Sequence, residues 1–230
     1  MPRLRLIAGP NGSGKTTLAR YLISQNVPLG QYINPDDIAK HVDLPRMLQA
    51  TADVLETDAP STVSSAERFA STFAAMLAQH IAVGLRGDWI GAQLSLTYES
   101  VMSHESHLDF VDRANEAGFD SYLYYICTSD PVINQARVER RVLAGGHDVP
   151  ADKILSRYEK SLSLLYAMSK KCKRVYFFDN SGNEHIHFAE ITPDGYLDIY
   201  DKYVSQAESD WFVDAVLKKW DRSKVRLASP

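Results

Sequence analysis

Gly9-Pro10-Asn11-Gly12-Ser13-Gly14-Lys15-Thr16 has glycine, four residues, glycine, lysine and threonine in the spacing of a phosphate-binding loop. Glycines let successive backbone N–H groups turn inward around phosphates, and the helix that must follow adds the positive end of its dipole. In that arrangement Lys15 reaches the outer phosphates, the Thr16 hydroxyl is a ligand for Mg²⁺, and Thr17 continues the cradle. The chemistry indicated is binding of a nucleoside triphosphate, ATP with Mg²⁺.

Many activities share such a loop, so the reaction must be read from other groups on the same sheet edge. Asp36, Asp37 and Glu99 each follow or end an extended segment. A kinase needs a carboxylate to take the proton of the acceptor hydroxyl. The plainer alternatives are a helix cap for Asp36 and Asp37 and a solvated strand end for Glu99. Arg137 and Arg141 share a helix face, and Arg157 follows a break at Gly145-Gly146-His147-Asp148-Val149-Pro150. Residues 131–174 hold ten Lys plus Arg against four acids, the composition of a lid that faces phosphate, with a solvated charged helix as the alternative. His147 sits in the break, where an imidazole could meet a phosphate. His104, His107, His185 and His187 lack acidic or cysteine partners at ligand spacing and read as surface or core residues.

The elements that position these groups follow from periodicity. An apolar run, Leu4 to Ala8, precedes the loop, and 16–25 reads as helix. Strands are expected over 31–34, 94–99, 121–127 and 175–178. Helices are expected over 66–86, 104–117, 131–144 and 151–171, with Phe69, Phe73, Leu77 and Ile81 forming one stripe. Alternation of this kind predicts an α/β fold, a parallel five-stranded core with helices on both faces and a helix-loop-helix lid over 131–171. A hairpin of 186–191 with 196–200, then a closing helix over 208–220, forms an appendage, so that 1–183 is the kinase core and 184–230 packs on the same domain.

At 230 residues, 45% hydrophobic and 23% charged, the chain suits one globular domain and excludes disordered, collagen-like and coiled-coil classes. A net charge of -4 argues against a nucleic-acid or membrane-surface partner. Cys127 and Cys172 have no metal-ligand spacing, no apolar stretch suits a membrane span, and no signal peptide is read, so a cytoplasmic location is expected.

Taken together, 9–16, Ile33-Asn34-Pro35-Asp36, Tyr98 to His104, Arg137-Val138, 145–150 with Arg157-Tyr158, and Phe178-Asp179-Asn180-Ser181 resemble the zeta-toxin family of P-loop kinases, over roughly Leu4 to Ser181. The resemblance implies a P-loop NTPase fold and ATP- and Mg²⁺-dependent phosphorylation of a nucleotide-sugar hydroxyl, characteristically the 3′-hydroxyl of UDP-N-acetylglucosamine. It implies Asp36 as proton acceptor, Lys15 on phosphate, Arg137 and Arg141 on the transition state, and Glu99 on the substrate side. Asp37, Arg157 and His147 complete the expected substrate side. It also implies toxicity with an antitoxin partner. The chain departs from the better-studied toxins at Ser100-Val101, where they carry a hydroxyl residue two places after the glutamate. Two other readings stand beside it: a nucleotide-switched ATPase or regulatory module, and a kinase acting on another nucleotide, a dinucleotide or a polynucleotide end.

Overall fold

The computed structural model describes residues 1–47, 49, 70–144, 149–201 and 210–229. Outside them lie the start of the expected stripe with Phe69, the break residues Gly145 to Asp148 including His147, and the expected start of the closing helix at Glu208. Two compact units emerge, residues 33–92 and the remainder.

In the larger unit, β1 (Arg3–Ala8) buries every residue but its first. The chain then turns through the glycine loop into α1 (Lys15–Ser24). An eight-stranded sheet runs in the order β2-β3-β1-β4-β5-β6-β7-β8, with β2 at Gln31–Ile33, β3 at Leu96–Ser100 and β4 at Asp120–Cys127. It continues with β5 at Arg174–Asp179, β6 at Ile186–Ile191, β7 at Leu197–Tyr200 and β8 at Val225–Ala228. β1 pairs in parallel with both β3 and β4, and β4 with β5. This is the arrangement expected for near-continuous apolar strands covered on both faces. Leu18 and Leu22 of α1 pack with Ile7, Tyr124, Ile126 and Phe178 on one face. Alternate residues serve the other face. There Tyr98 meets Phe110 of α4 (Ser106–Glu116), Tyr125 bonds Ser161 of α6 (Ala151–Lys171), and Phe177 meets Phe212 of α7 (Asp210–Ala215). α5 (Pro131–Leu143) starts at a proline behind Asp130, whose carboxylate accepts from the Val132 N–H.

Three expectations are corrected. The hairpin is no appendage: β6 pairs antiparallel with β5, and β7 with β6, extending the same sheet. The closing helix over 208–220 stops at Ala215, because Val216 leaves helical geometry at φ -129°, and two short 3₁₀ turns lead to β8. That strand pairs in parallel with β7 and is pinned by Arg226, whose Nε and Nη2 donate to Asp198 at 2.7 and 2.8 Å. Finally, the third strand begins at Leu96 instead of Leu94, because Gln93 adopts φ 57° and ends the preceding helix late. It runs on to Ser100.

In the smaller unit, α2 (Pro35–Ala39) is capped by Asn34, whose Oδ1 accepts from the Asp36 N–H at 3.0 Å. The long helix α3 (Ala70–Gly91) follows. Its buried face runs through Ala74, Ala78 and Ala82, while Phe73 and Ile81 of the expected stripe stay exposed.

His187, on β6, stacks on Phe178 at 4.9 Å and meets the Tyr200 ring edge-on at 5.1 Å. Burial lowers its pKa to about 4, so the folded state holds it neutral while the unfolded chain protonates near pH 6.5. Stability from this residue is therefore intact above pH 6.5 and is lost as pH falls toward 4. Urea unfolding should show about 2 kcal/mol less stability at pH 5 than at pH 7 from this group, and His187→Phe should flatten that slope. An unchanged slope would show that other groups set the acid sensitivity.

Candidate active site

The turn from β1 to α1 is built by close backbone approach. Gly9 has φ +151°, and a Cβ there would lie 1.9 Å from the Ile126 carbonyl oxygen. Gly14, at φ +100°, begins α1 in a left-handed conformation, with Asn180 Nδ2 at 2.4 Å from where its Cβ would be. Four carbonyls along the loop accept hydrogen bonds from side chains. Lys15 Nζ donates to the Gly9 and Pro10 carbonyls at 2.9 and 3.0 Å. Asn134 Nδ2 of α5 donates to the Asn11 carbonyl at 2.5 Å, and Asn180 Nδ2, just past β5, donates to the Ser13 carbonyl at 2.8 Å. With these carbonyls engaged, the loop N–H groups are left to face an anion.

These two asparagines were not singled out from the sequence as site residues. Asn180 lies in a motif at a strand end, which is a signal, whereas Asn134 is one polar residue inside an amphipathic helix. Asn134 is in turn oriented by the Thr128 hydroxyl, which donates to its Oδ1. The Asn180 N–H donates to the Cys127 carbonyl at 2.8 Å. Asn180→Ala strands the Ser13 carbonyl and is expected to lower stability by about 1 kcal/mol. It should also weaken ATP binding several-fold by calorimetry, and unchanged ATP affinity would reduce Asn180 to a packing role.

Glu99, only 6% exposed, is the penultimate residue of β3. Its Oε2 accepts from the Thr16 hydroxyl at 3.2 Å, and its Oε1 accepts from the Tyr32 hydroxyl. The structure thus brings Glu99 to the threonine of the loop. A hydroxyl and a carboxylate oxygen converging at the loop form a hard-oxygen pair that fits Mg²⁺, which takes few protein ligands and keeps waters and phosphate oxygens. Among the described residues no group of three or more His, Cys, Asp or Glu could hold a metal by itself.

On α5, the half-buried Arg137 donates from Nη2 to the Gly182 carbonyl at 3.1 Å, while its buried Nη1 has no partner among the described residues. Burial lowers its pKa, and the Asp179 carboxylate opposes that shift. Asp179, at the end of β5, is 2% exposed and accepts from the Ser181 N–H and hydroxyl, both at 3.0 Å, and from the Trp211 indole at 3.4 Å. Arg141, one turn beyond Arg137, is half-buried. Arg157 is half-buried on α6, beside Tyr158, whose hydroxyl donates to the Thr128 carbonyl at 2.7 Å. Thr17 is exposed on α1. In the smaller unit, Asp36 is exposed in the first turn of α2. Asp37 forms an exposed ion pair with Lys40 at 2.5 Å.

With a glycine loop, an adjoining lysine and threonine, and a carboxylate from the neighbouring strand in place, the family can be decided by comparison. The model of the Zeta toxin family matches residues 1–191. The chain belongs to the zeta-toxin family of P-loop kinases. An uncharacterized protein of Haemophilus influenzae is 35% identical over 77 residues, which is 34% of this chain and 55% of that protein. Chains of the AvrRxo1-ORF1:AvrRxo1-ORF2 complex, crystallised with sulphate ions and with ATP, superpose with TM-scores of 0.59 and 0.57 and identities of 18% and 17%. In each case 90% of this chain and 63% of that one are covered, so the zeta-toxin family chain spans less than two thirds of those neighbours. A chain of the PezAT chromosomal toxin-antitoxin system of Streptococcus pneumoniae gives a TM-score of 0.54 at 14% identity, over 97% of this chain and 82% of that one. Among the described residues no helix is long and apolar enough to cross a membrane.

Proposed function

We propose that this zeta-toxin family member transfers the γ-phosphoryl group of ATP to a hydroxyl of a nucleotide-sugar, with the 3′-hydroxyl of UDP-N-acetylglucosamine as the acceptor. The observation that carries the reading is the loop itself, with Lys15 held over it and Thr16 bonded to Glu99. The superposed AvrRxo1 complex crystallised with ATP supports ATP as donor. In this reading the acceptor oxygen attacks the γ-phosphorus, its proton passes to the Asp36 carboxylate, and the bond to the β–γ bridging oxygen breaks to release ADP. Lys15 and the loop N–H groups bind the β and γ phosphates. Arg137, with Nη1 uncommitted, and Arg141 stabilise charge on the group in flight. Mg²⁺, when bound, would be held at the Thr16 hydroxyl with Glu99 beside it, and would supply further neutralisation of the phosphates. Glu99, Asp37, Arg157 and His147 are assigned to acceptor binding.

The charge of residues 131–174 suits the diphosphate of a nucleotide-sugar better than a free sugar. The superposed chain of a toxin-antitoxin system supports a protein antitoxin as partner. Two unpaired cysteines suit the cytoplasm, where the donor is found. The experiment is incubation with ATP, Mg²⁺ and either UDP-N-acetylglucosamine or free N-acetylglucosamine, read by mass spectrometry. The nucleotide-sugar is expected to gain a phosphate faster, and Glu99→Gln should impair this transfer. Phosphorylation of a dinucleotide, nucleoside or nucleic-acid end alone would keep the kinase and overturn the acceptor.

A further inference from the structure

At the end of the sheet opposite the phosphate loop lies a cavity of about 420 Å³, within the size range of small-molecule sites. Its walls come from the last turn of α6, the turn between β6 and β7, and the 3₁₀ segment before β8. Ser169, a residue 1% exposed, is among the lining residues, and its hydroxyl is buried with no hydrogen-bond partner among the described residues. A buried hydroxyl left unmatched is uncommon and costly.

The charges around it are one-sided. Lys170, Lys173, Lys219 and Lys224 line the cavity against a single lining carboxylate, Asp221. Lys173 is neutralised by Asp120 at 2.9 Å, which leaves an excess of two positive charges. A helix C-terminus explains a lysine at 170. It does not explain Lys219 and Lys224, which come from a separate segment. Trp220 also lines the cavity, but Lys170 Nζ sits 5.0 Å from its ring centroid, and Tyr166 meets it edge-on at 5.9 Å. The ring is therefore committed, and the site offers charge and donors in place of a platform for a base.

We propose that this cavity is a second anion site, which takes the phosphoryl group of a small phosphate or phosphate monoester, with Ser169 donating and Lys170, Lys219 and Lys224 supplying charge. It is separate from the nucleotide site. β5 runs from Arg174 beside the cavity to Asp179 beside the loop, a span of about 17 Å at strand rise.

The test is amide and indole NMR of the full chain titrated with inorganic phosphate and, separately, with glucose 6-phosphate. Saturable shifts are expected at Ser169, Gly195 and the Trp220 indole, resolved from any at 9–16. The Lys219→Gln/Lys224→Gln variant, with the rest of its spectrum unchanged, should bind about tenfold more weakly, and Ser169→Ala several-fold more weakly. Equal affinity for the two probes shows that the phosphoryl group suffices, and tighter binding of the ester shows that its organic part adds contacts. Shifts confined to 9–16, or affinities unchanged in both variants, would overturn the proposal.

Discussion

Lys15→Ala is expected to lower phosphoryl transfer by about a thousandfold or more while leaving the chain folded. The side chain belongs to the first residue of α1, and its ammonium is held by the Gly9 and Pro10 carbonyls. Removal takes away a charge that would otherwise lie against the β and γ phosphates, where a single preorganised electrostatic contact contributes several kcal/mol to the barrier. The loop keeps its other restraints, the asparagine bonds to the Asn11 and Ser13 carbonyls. A thermal melt within a few degrees of the wild type should accompany the loss. Steady-state ADP release measures the effect, and near-wild-type turnover would remove the loop from the reaction.

Asp36→Asn should separate binding from chemistry. The amide retains the shape of the side chain but cannot take a proton, so transfer should fall by about 10²- to 10⁴-fold. ATP affinity measured by calorimetry should stay within about twofold, because the phosphate contacts assigned to Lys15 and the loop are untouched. The Asn34 cap on α2 bonds the backbone N–H of residue 36, so it survives the change. Parallel loss of ATP binding and transfer would make Asp36 a structural or metal-side group.

The parts legible in the sequence were those encoded locally. A glycine loop between an apolar run and an amphipathic segment can be read from one stretch of chain, as can Asn34-Pro35 and Asp130-Pro131 as helix starts, each a capping side chain before a proline. The illegible parts depend on distant pairing. Asn134 and Asn180 meet carbonyls 123 and 167 residues away, and no periodicity reveals that. β8 contributes four residues, none of them fully buried, so its alternation carries little hydrophobic signal, and its place is fixed by Arg226 on Asp198. The long helix misled for another reason: close packing took the alanine side, and the larger apolar residues at 73 and 81 stayed outside.

The indole of Trp211 gives the molecule an internal optical probe. Its N–H rests on Asp179, whose charge also acts on Arg137, and its ring lies 5.6 Å from that of Tyr125. Any anion that draws the Arg137 guanidinium toward itself changes the field across this indole, and with it the emission wavelength. Trp220, at the far end of β5, sits outside that field. The chain holds a third tryptophan, Trp89, so fluorescence of variants that keep only Trp211 or only Trp220, the other two replaced by phenylalanine, reads the two ends of the sheet separately, and occupancy at the loop becomes visible without a modified nucleotide.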